Sequence, residues 1–332
     1  MAILANELVM YKAASMNDTP TNGGLLSNAV VTTAAKNNVF PDVSQADKLA
    51  GVTNLRKVFY KVDNAANLTL QNPFVYVEKI TNGDDALYIH AGTANDTQAA
   101  LTGTERLYGA GTLTSAVLAG DTTCSMLLED AAVTSFADGD LVRISNQPDV
   151  ATAGTTEYLT IAVGGVSLPT GNTVTLTFTT AFANGFALGD KVAATMPLSN
   201  VAATATTPNI TSAAGTFAGV ANPVTLNNLA TIDDTWTIAF TSATAFSVVS
   251  STLGAVGAGN TSADTSPNNP DYGQPYFTLP FAGFGGTWVS GDTLVFTTSS
   301  ASAAIWLKKI VPAGAASLTA NTAVVAIEGE SA

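Results

Sequence analysis

Arg56-Lys-Val-Phe-Tyr-Lys-Val-Asp63 is followed, after Asn64-Ala-Ala-Asn67, by Leu68-Thr-Leu-Gln-Asn-Pro-Phe-Val-Tyr-Val-Glu78. Val58, Tyr60 and Val62 alternate with Lys57, Phe59 and Lys61, and Val75 and Val77 alternate with Phe74, Tyr76 and Glu78. A period of two gives each run two faces, so both read as β-strands joined by a polar connection of hairpin or short-loop length. A comparably dense apolar and basic run returns only near the other end, in Ala304-Ile-Trp-Leu-Lys-Lys-Ile-Val-Pro-Ala-Gly314. These distant pieces are expected to pair in one β domain, with Trp306 packed into the sheet built by Val58 to Val77.

At 332 residues the chain has room for two or three domains with their own cores. Charged residues make up only 11% of it, well below the usual quarter, so neighbouring copies are expected to cover part of its surface. Twelve Lys and Arg face twenty-five Asp and Glu, and residues 107–307 hold only Arg143 and Lys191 against thirteen acids. Nothing there can neutralise a run of phosphates, which argues against tight nucleic-acid binding. An acidic surface can instead let a DNA strand pass without sticking. The first ten residues lack a basic leader pattern and meet Glu7 early, and no apolar run is long enough to cross a membrane as a helix.

Residues 1–40 carry one short amphipathic run, Glu7 to Lys12, and the breaker-rich Asn17-Asp-Thr-Pro-Thr-Asn-Gly-Gly24, which reads as an arm ordered by a neighbour. Deleting residues 1–24 is accordingly expected to leave a folded subunit that no longer assembles. Ser44-Gln-Ala-Asp47 fits a capping box opening one or two helical turns that stop at Gly51. Asp84 to Ala91 alternates as a further strand.

Beyond Tyr108 a pattern repeats: Phe136-Ala-Asp-Gly-Asp140, Phe186-Ala-Leu-Gly-Asp190 and Trp288-Val-Ser-Gly-Asp292 each precede an apolar strand. The aromatic anchors the loop, Gly takes a positive φ and Asp caps the turn. Glu157–Val163 and the strict alternation of Asn172–Thr180 complete a barrel or sandwich. Thr235–Thr241 and Ala245–Val249 form a hairpin in a further unit, where Gly254–Gly273 reads as a long loop. The fold class is therefore all-β, a multi-domain β-sandwich or β-barrel chain with very little helix. The expected units are a discontinuous core domain (1–105 plus 300–332) with an N-terminal arm, an inserted barrel or sandwich (106–198) and a second β unit with a long loop (199–299).

Residue chemistry offers little for catalysis. Cys124 is the single cysteine and reads as a buried structural thiol, which leaves no intrachain disulfide. His90 is the single histidine, so any triad would need it, yet it sits inside an alternating strand. Asp138 and Asp140 lack the spacing of a calcium loop. Glu129 with Asp130 or Glu157 is the pair a glycosidase would need. No catalytic, cofactor-binding or metal-binding residue is assigned, and no cofactor is expected.

The run Arg56–Val62 with Asn72–Val77, the middle run from Gly120 through Ile144 and the closing Ile305–Gly314 resemble virion structural proteins of Mu-like, long-tailed bacteriophages, a likeness that takes in the ends and the middle, about half the chain. Among these it most resembles the tail-tube, or major tail, protein. The resemblance implies a non-enzymatic subunit in trimeric or hexameric rings around a DNA channel, with other virion proteins as partners. Genomic DNA would pass without specific binding. There would be no membrane anchoring, and the subunit would lie in the virion, assembled in the host cytoplasm. The chain is longer than a minimal tube protein, so its extra domains would be decorations or a tandem tube fold. A head-decoration or connector protein, or a receptor-binding adhesin or tailspike, remains an alternative.

Overall fold

In the computed structural model, residues 2–148 and 152–331 are described, and the chain is 46% strand and 5% helix. The first strands are β1 (Leu8–Ser15), β2 (Gly23–Val30), β3 (Val52–Val62), β4 (Leu70–Lys79) and β5 (Ala86–Ala91), with the short helix α1 (Gln45–Ala50) before β3. The middle of the chain supplies β6 (Ala110–Leu113), β7 (Thr123–Leu128), β8 (Leu141–Ser145), β9 (Thr156–Val166), β10 (Thr173–Phe178), β11 (Lys191–Ala194) and β12 (Met196–Pro197). After it come β13 (Thr204–Ala205), β14 (Asn209–Thr211), β15 (Gly215–Phe217), β16 (Asp234–Phe240), β17 (Ala245–Ser250) and β18 (Gly254–Asn260). The last are β19 (Asn268–Asn269), β20 (Gln274–Pro275), β21 (Phe284–Gly286), β22 (Thr293–Ser299), β23 (Ser302–Val311) and β24 (Val324–Ser331). The all-β reading therefore holds, and α1 begins at the Ser44 cap and ends at Gly51.

A five-stranded antiparallel sheet, ordered β2-β1-β3-β23-β5, faces a three-stranded sheet, β12-β4-β24. β23 lies between β3 and β5, with Trp306 opposite Lys57 on one side and His90 on the other. The distant ends of the sequence thus meet along a continuous ladder. β3 and β4 do not form a hairpin, however. Residues 64–67 carry the chain from one sheet to the other, and Val58 and Tyr60 pack face to face with Val75 and Val77 in a shared core. Trp306 joins the sheet of Val58 but points away from this core, towards Lys57, Gly23 and Gly92. β3 is buried on both sides because the β1–β2 hairpin and the loop after β5 cover its outer face.

The segment read as an arm is instead β1 and β2. β1 pairs with β3 from Leu8 opposite Val62 to Lys12 opposite Val58, and Tyr11 and Ala13 are buried. Its strand character escapes sequence reading because the backbone ladder, which needs no particular side chains, supplies the pairing.

β6 to β11 close a barrel in the order β10-β7-β6-β11-β8-β9 around Met126, Val142, Ile144, Leu176 and Val192. A six-stranded sheet combines β13 and β14 on β22 with β16, β17 and β18, over a core of Trp236, Ile238, Phe277 and Leu294. Part of the expected long loop is strand here. Gly254–Asn260 pairs with β17 even though its small residues bury little, again through the main chain.

The repeated Gly-Asp turn takes one geometry at every copy. Asp140 Oδ2 accepts from Ala137 N–H at 2.8 Å, Asp190 Oδ2 from Ala187 N–H at 2.7 Å and Asp292 Oδ2 from Val289 N–H at 2.9 Å. Gly139, Gly189 and Gly291 all have positive φ, and Phe136, Phe186 and Trp288 are buried anchors. A fourth copy, Val117-Leu-Ala-Gly-Asp121, has the same bond from Leu118 N–H at 2.8 Å, with Val as anchor. An added Cβ at Gly189 meets nothing within 4 Å, so Gly189→Ala isolates the backbone cost, expected to be about 1–2 kcal/mol. Asp190→Ala, which loses only the cap, is expected to cost about 1 kcal/mol. Chemical denaturation of the two variants checks both, and a neutral Gly189→Ala would contradict the account.

Candidate assembly interface

Sheet edges display unpaired N–H and C=O groups and are the places where another chain can add a strand. The outer edge of β5 is partly closed by reciprocal 2.9 Å bonds between Ile89 and Tyr108. β2 and β24 share the opposite flank of the sandwich. Tyr60 of β3 donates to Val325 O of β24 at 2.8 Å, and Ile327 of β24 packs in one cluster with Leu8 of β1. Among the described residues no strand pairs with the outer edge of either.

The two edges differ in how they are defended. β24 carries Glu328 and Glu330 and two irregularities in its pairing with β4, features that discourage indiscriminate pairing. β2, Gly-Gly-Leu-Leu-Ser-Asn-Ala-Val, has no charged residue or proline. Beyond Gly23, which bridges to Thr97, its outer edge is free of partner strands among the described residues. Val31 N–H donates to Met10 O at 2.8 Å, so in the antiparallel alternation the N–H and C=O of Val30 point away from β1, into the open flank. Beside it, Leu8, Met10 and Lys12 on the inner face of β1 are only half-buried. A third edge, β18, is also uncharged but lies on the six-stranded sheet.

Behind the flank, a buried charge cluster fastens β24 and β4 to the barrel. Glu78 of β4 meets Arg143 Nη1 at 2.7 Å and Lys191 Nζ at 2.8 Å, and Glu78 and Arg143 are almost wholly out of water. Arg143 also lies over the Tyr76 ring at 4.8 Å, with its Nε 3.5 Å from Glu328 Oε1. The hydroxyls of Tyr76 and Tyr158 donate to Glu328. Charge at this depth is tolerated only where opposite charges meet it, and here Glu78 answers both cations while Arg143 Nε, though close to Glu328, makes no hydrogen bond. The edge strand is therefore held by the barrel as well as by its ladder.

The residues singled out for chemistry do not converge. Cys124 is buried in β7, where desolvation pushes its thiol up to about 12, and His90 is packed beside Trp306. Asp138 accepts from Gly164 N–H at 2.6 Å, while Asp140 pairs with Arg106 and caps its turn. Glu157 accepts from Ala183 N–H at 2.6 Å and Asn184 N–H at 3.0 Å, and Asp130 accepts from Ala132 N–H at 2.8 Å. Asp121, Asp190, Asp264 and Asp292 likewise hold main-chain N–H groups, and Asp233 and Asp234 hold Ser or Thr hydroxyls. The acidity of the middle of the chain thus serves largely to cap turns. Two shallow grooves, of about 360 and 350 Å3, lie in the six-stranded region and its loops, lined mainly by small and polar residues, with Val224 and Leu226 in the second. No group of three His, Cys, Asp or Glu suited to a metal occurs among the described residues. No family model, curated protein or solved structure matches the chain.

Glu129 joins the barrel to the core: Thr81 N–H donates to Oε1 at 3.2 Å and Leu87 N–H to Oε2 at 3.1 Å. Burial pushes this carboxyl up to about 7. The unfolded chain releases that proton near the ordinary value of about 4.3, so between the two values the folded state alone holds it. Its contribution to stability is full below the lower value and lost as pH rises through the upper one. His90 works in the opposite sense, because burial lowers its pKa and stability falls as it is forced to protonate. Glu129→Gln is therefore expected to flatten the decline in denaturation midpoint between about pH 5 and about pH 7.5 relative to the parent. Parallel pH profiles for the two proteins would contradict this assignment.

Proposed function

We propose that the chain is a non-enzymatic structural subunit of a phage virion, of the tail-tube type, which assembles with copies of itself into stacked rings. The observation that carries this reading is the uncharged outer edge of β2, with the Val30 main chain facing the open flank of the sandwich. Soluble monomers defend such edges with charge, proline or cover, and β2 is left as a template for a strand from a neighbour. The low overall charge supports the same reading, since an assembled subunit shows less of its surface to water. The resemblance of residues 56–77, 120–144 and 305–314 to virion structural proteins directs it to a phage particle. The acids of the middle region lend the channel reading little, because the backbone occupies so many of them.

Placing charge on the edge tests this. Asn28→Lys with Val30→Lys leaves exposed positions exposed and keeps the inner ladder, so the variant is expected to fold with an unchanged melting profile. It is also expected to lose the high-mass species that the parent gives in light scattering. Equal assembly by parent and variant would remove β2 from the interface. Discrete trimers from the parent would favour the adhesin or tailspike alternative.

A further inference from the structure

Lys57 and Asp96 meet under the outer face of the sheet, with Lys57 wholly out of water and the Asp96 side chain 12% exposed. The Lys57 side chain is wholly buried, and its Nζ lies 2.6 Å from Asp96 Oδ1. The Phe59 ring centroid is 4.9 Å from that Nζ. Gly23, at φ +105°, packs against the site: a Cβ there would sit 2.8 Å from both Asp96 O and Trp306 Cη2. His90 stacks on Trp306 at 6.2 Å with planes 11° apart.

The polar contacts are unlike those of an ordinary ion pair. Nζ donates to Gly24 O at 2.7 Å and to Asp96 O at 3.0 Å. Trp306 Nε1–H donates to Asp96 Oδ2 at 2.9 Å. Oδ1 is buried and, despite its closeness to Nζ, takes no hydrogen bond of proper alignment. A neutral amine has two hydrogens and one lone pair. Here two main-chain carbonyls hold two hydrogens, and the carboxyl group lies beside the nitrogen at 2.6 Å without an aligned hydrogen bond.

We propose that this is a self-modification site, at which Lys57 and Asp96 condense into an intramolecular isopeptide bond. Proton transfer from Nζ to Oδ1 gives a neutral amine and a carboxylic acid, the forms that a buried site tolerates better than separated charges. Burial lowers the Lys57 pKa in the same sense, although the Asp96 charge works against it; at Asp96 burial raises the pKa, but the polar contacts of Lys57 and Trp306 outweigh it and hold the carboxyl below its ordinary value. The Nζ lone pair attacks Cγ, and negative charge develops on Oδ2, where the indole N–H of Trp306 is already placed to stabilise it. The Cγ–Oδ1 bond then breaks. Oδ1 departs as water, carrying the proton it received and one more from Nζ, and the Nζ–Cγ amide remains. The reaction consumes no oxidant, metal or cofactor, and proximity within the site replaces activation of the carboxyl group. The bond would tie the middle of β3 to the loop after β5, across the outer face of the sheet.

Intact mass spectrometry of the purified, denatured full chain tests this directly. The expected mass is that of the sequence less one water, and digestion is expected to give a branched peptide joining Lys57 to Asp96. Lys57→Arg is expected to restore the full mass. Asp96→Asn is expected to lose ammonia in place of water, which marks the same bond by a different leaving group. Trp306→Phe, which keeps a ring but removes the N–H, is expected to leave a larger unlinked fraction. A parent chain whose mass equals its sequence after prolonged incubation, with the two peptides recovered separately, overturns the proposal.

Discussion

Deleting residues 1–15 is expected to abolish the fold. β1 is an interior strand between β2 and β3, so its loss strips β2 of its partner and exposes one whole side of β3. Tyr11, which donates to Asp63 at 3.0 Å and faces Lys61 with its ring, goes with it. Lys61 loses the aromatic face whose centre lies 5.4 Å from its Nζ. The combined loss exceeds the roughly 5–15 kcal/mol by which a whole domain is stable. The truncated chain is expected to be insoluble or to show no cooperative thermal transition. A soluble truncation with native near-ultraviolet circular dichroism would contradict the placement of β1.

The second large effect is expected at Glu78. Replacing it with Leu leaves Arg143 and Lys191 without their common partner, at a depth where Arg143 is almost fully buried. Breaking such a cluster from one side costs about 3–5 kcal/mol. Glu78→Leu with Arg143→Leu removes both charges from the apolar seam, and the double variant is expected to be more stable than Glu78→Leu alone. Urea denaturation of the parent, Glu78→Leu, Arg143→Leu and the double variant measures this. A double variant at the additive sum of the two single losses would show that the two residues act independently.

Particular residues show how far the sequence could be read. The alternation around Val58 and Val75 marked both strands, yet alternation does not say which strands pair. A four-residue connection with Asn at each end serves equally well to turn a hairpin or to cross between sheets. Trp306 was legible as core by its bulk, but which of two buried faces it occupies depends on the loops carrying Gly23 and Asp96, distant in sequence. The Gly-Asp turn was readable because every part of it is local, and the copy at Val117 was missed because an aliphatic anchor does the same work as an aromatic one. β2 and β18 carry little apolar periodicity, and their strand character comes from pairing with β1 and β17. The same segment was expected to meet a neighbour as an arm; what sequence could not show is that Gly23–Val30 would offer a neighbour the uncharged edge of a sheet.

Negative-stain electron microscopy of the purified full chain at high concentration tests the central claim most directly. The account predicts rings or hollow tubes of uniform diameter, persisting in both low and high salt because the contacts are strand pairing and apolar packing, not charge. A field of dispersed single particles in both conditions, with monomeric mass by light scattering, would contradict it.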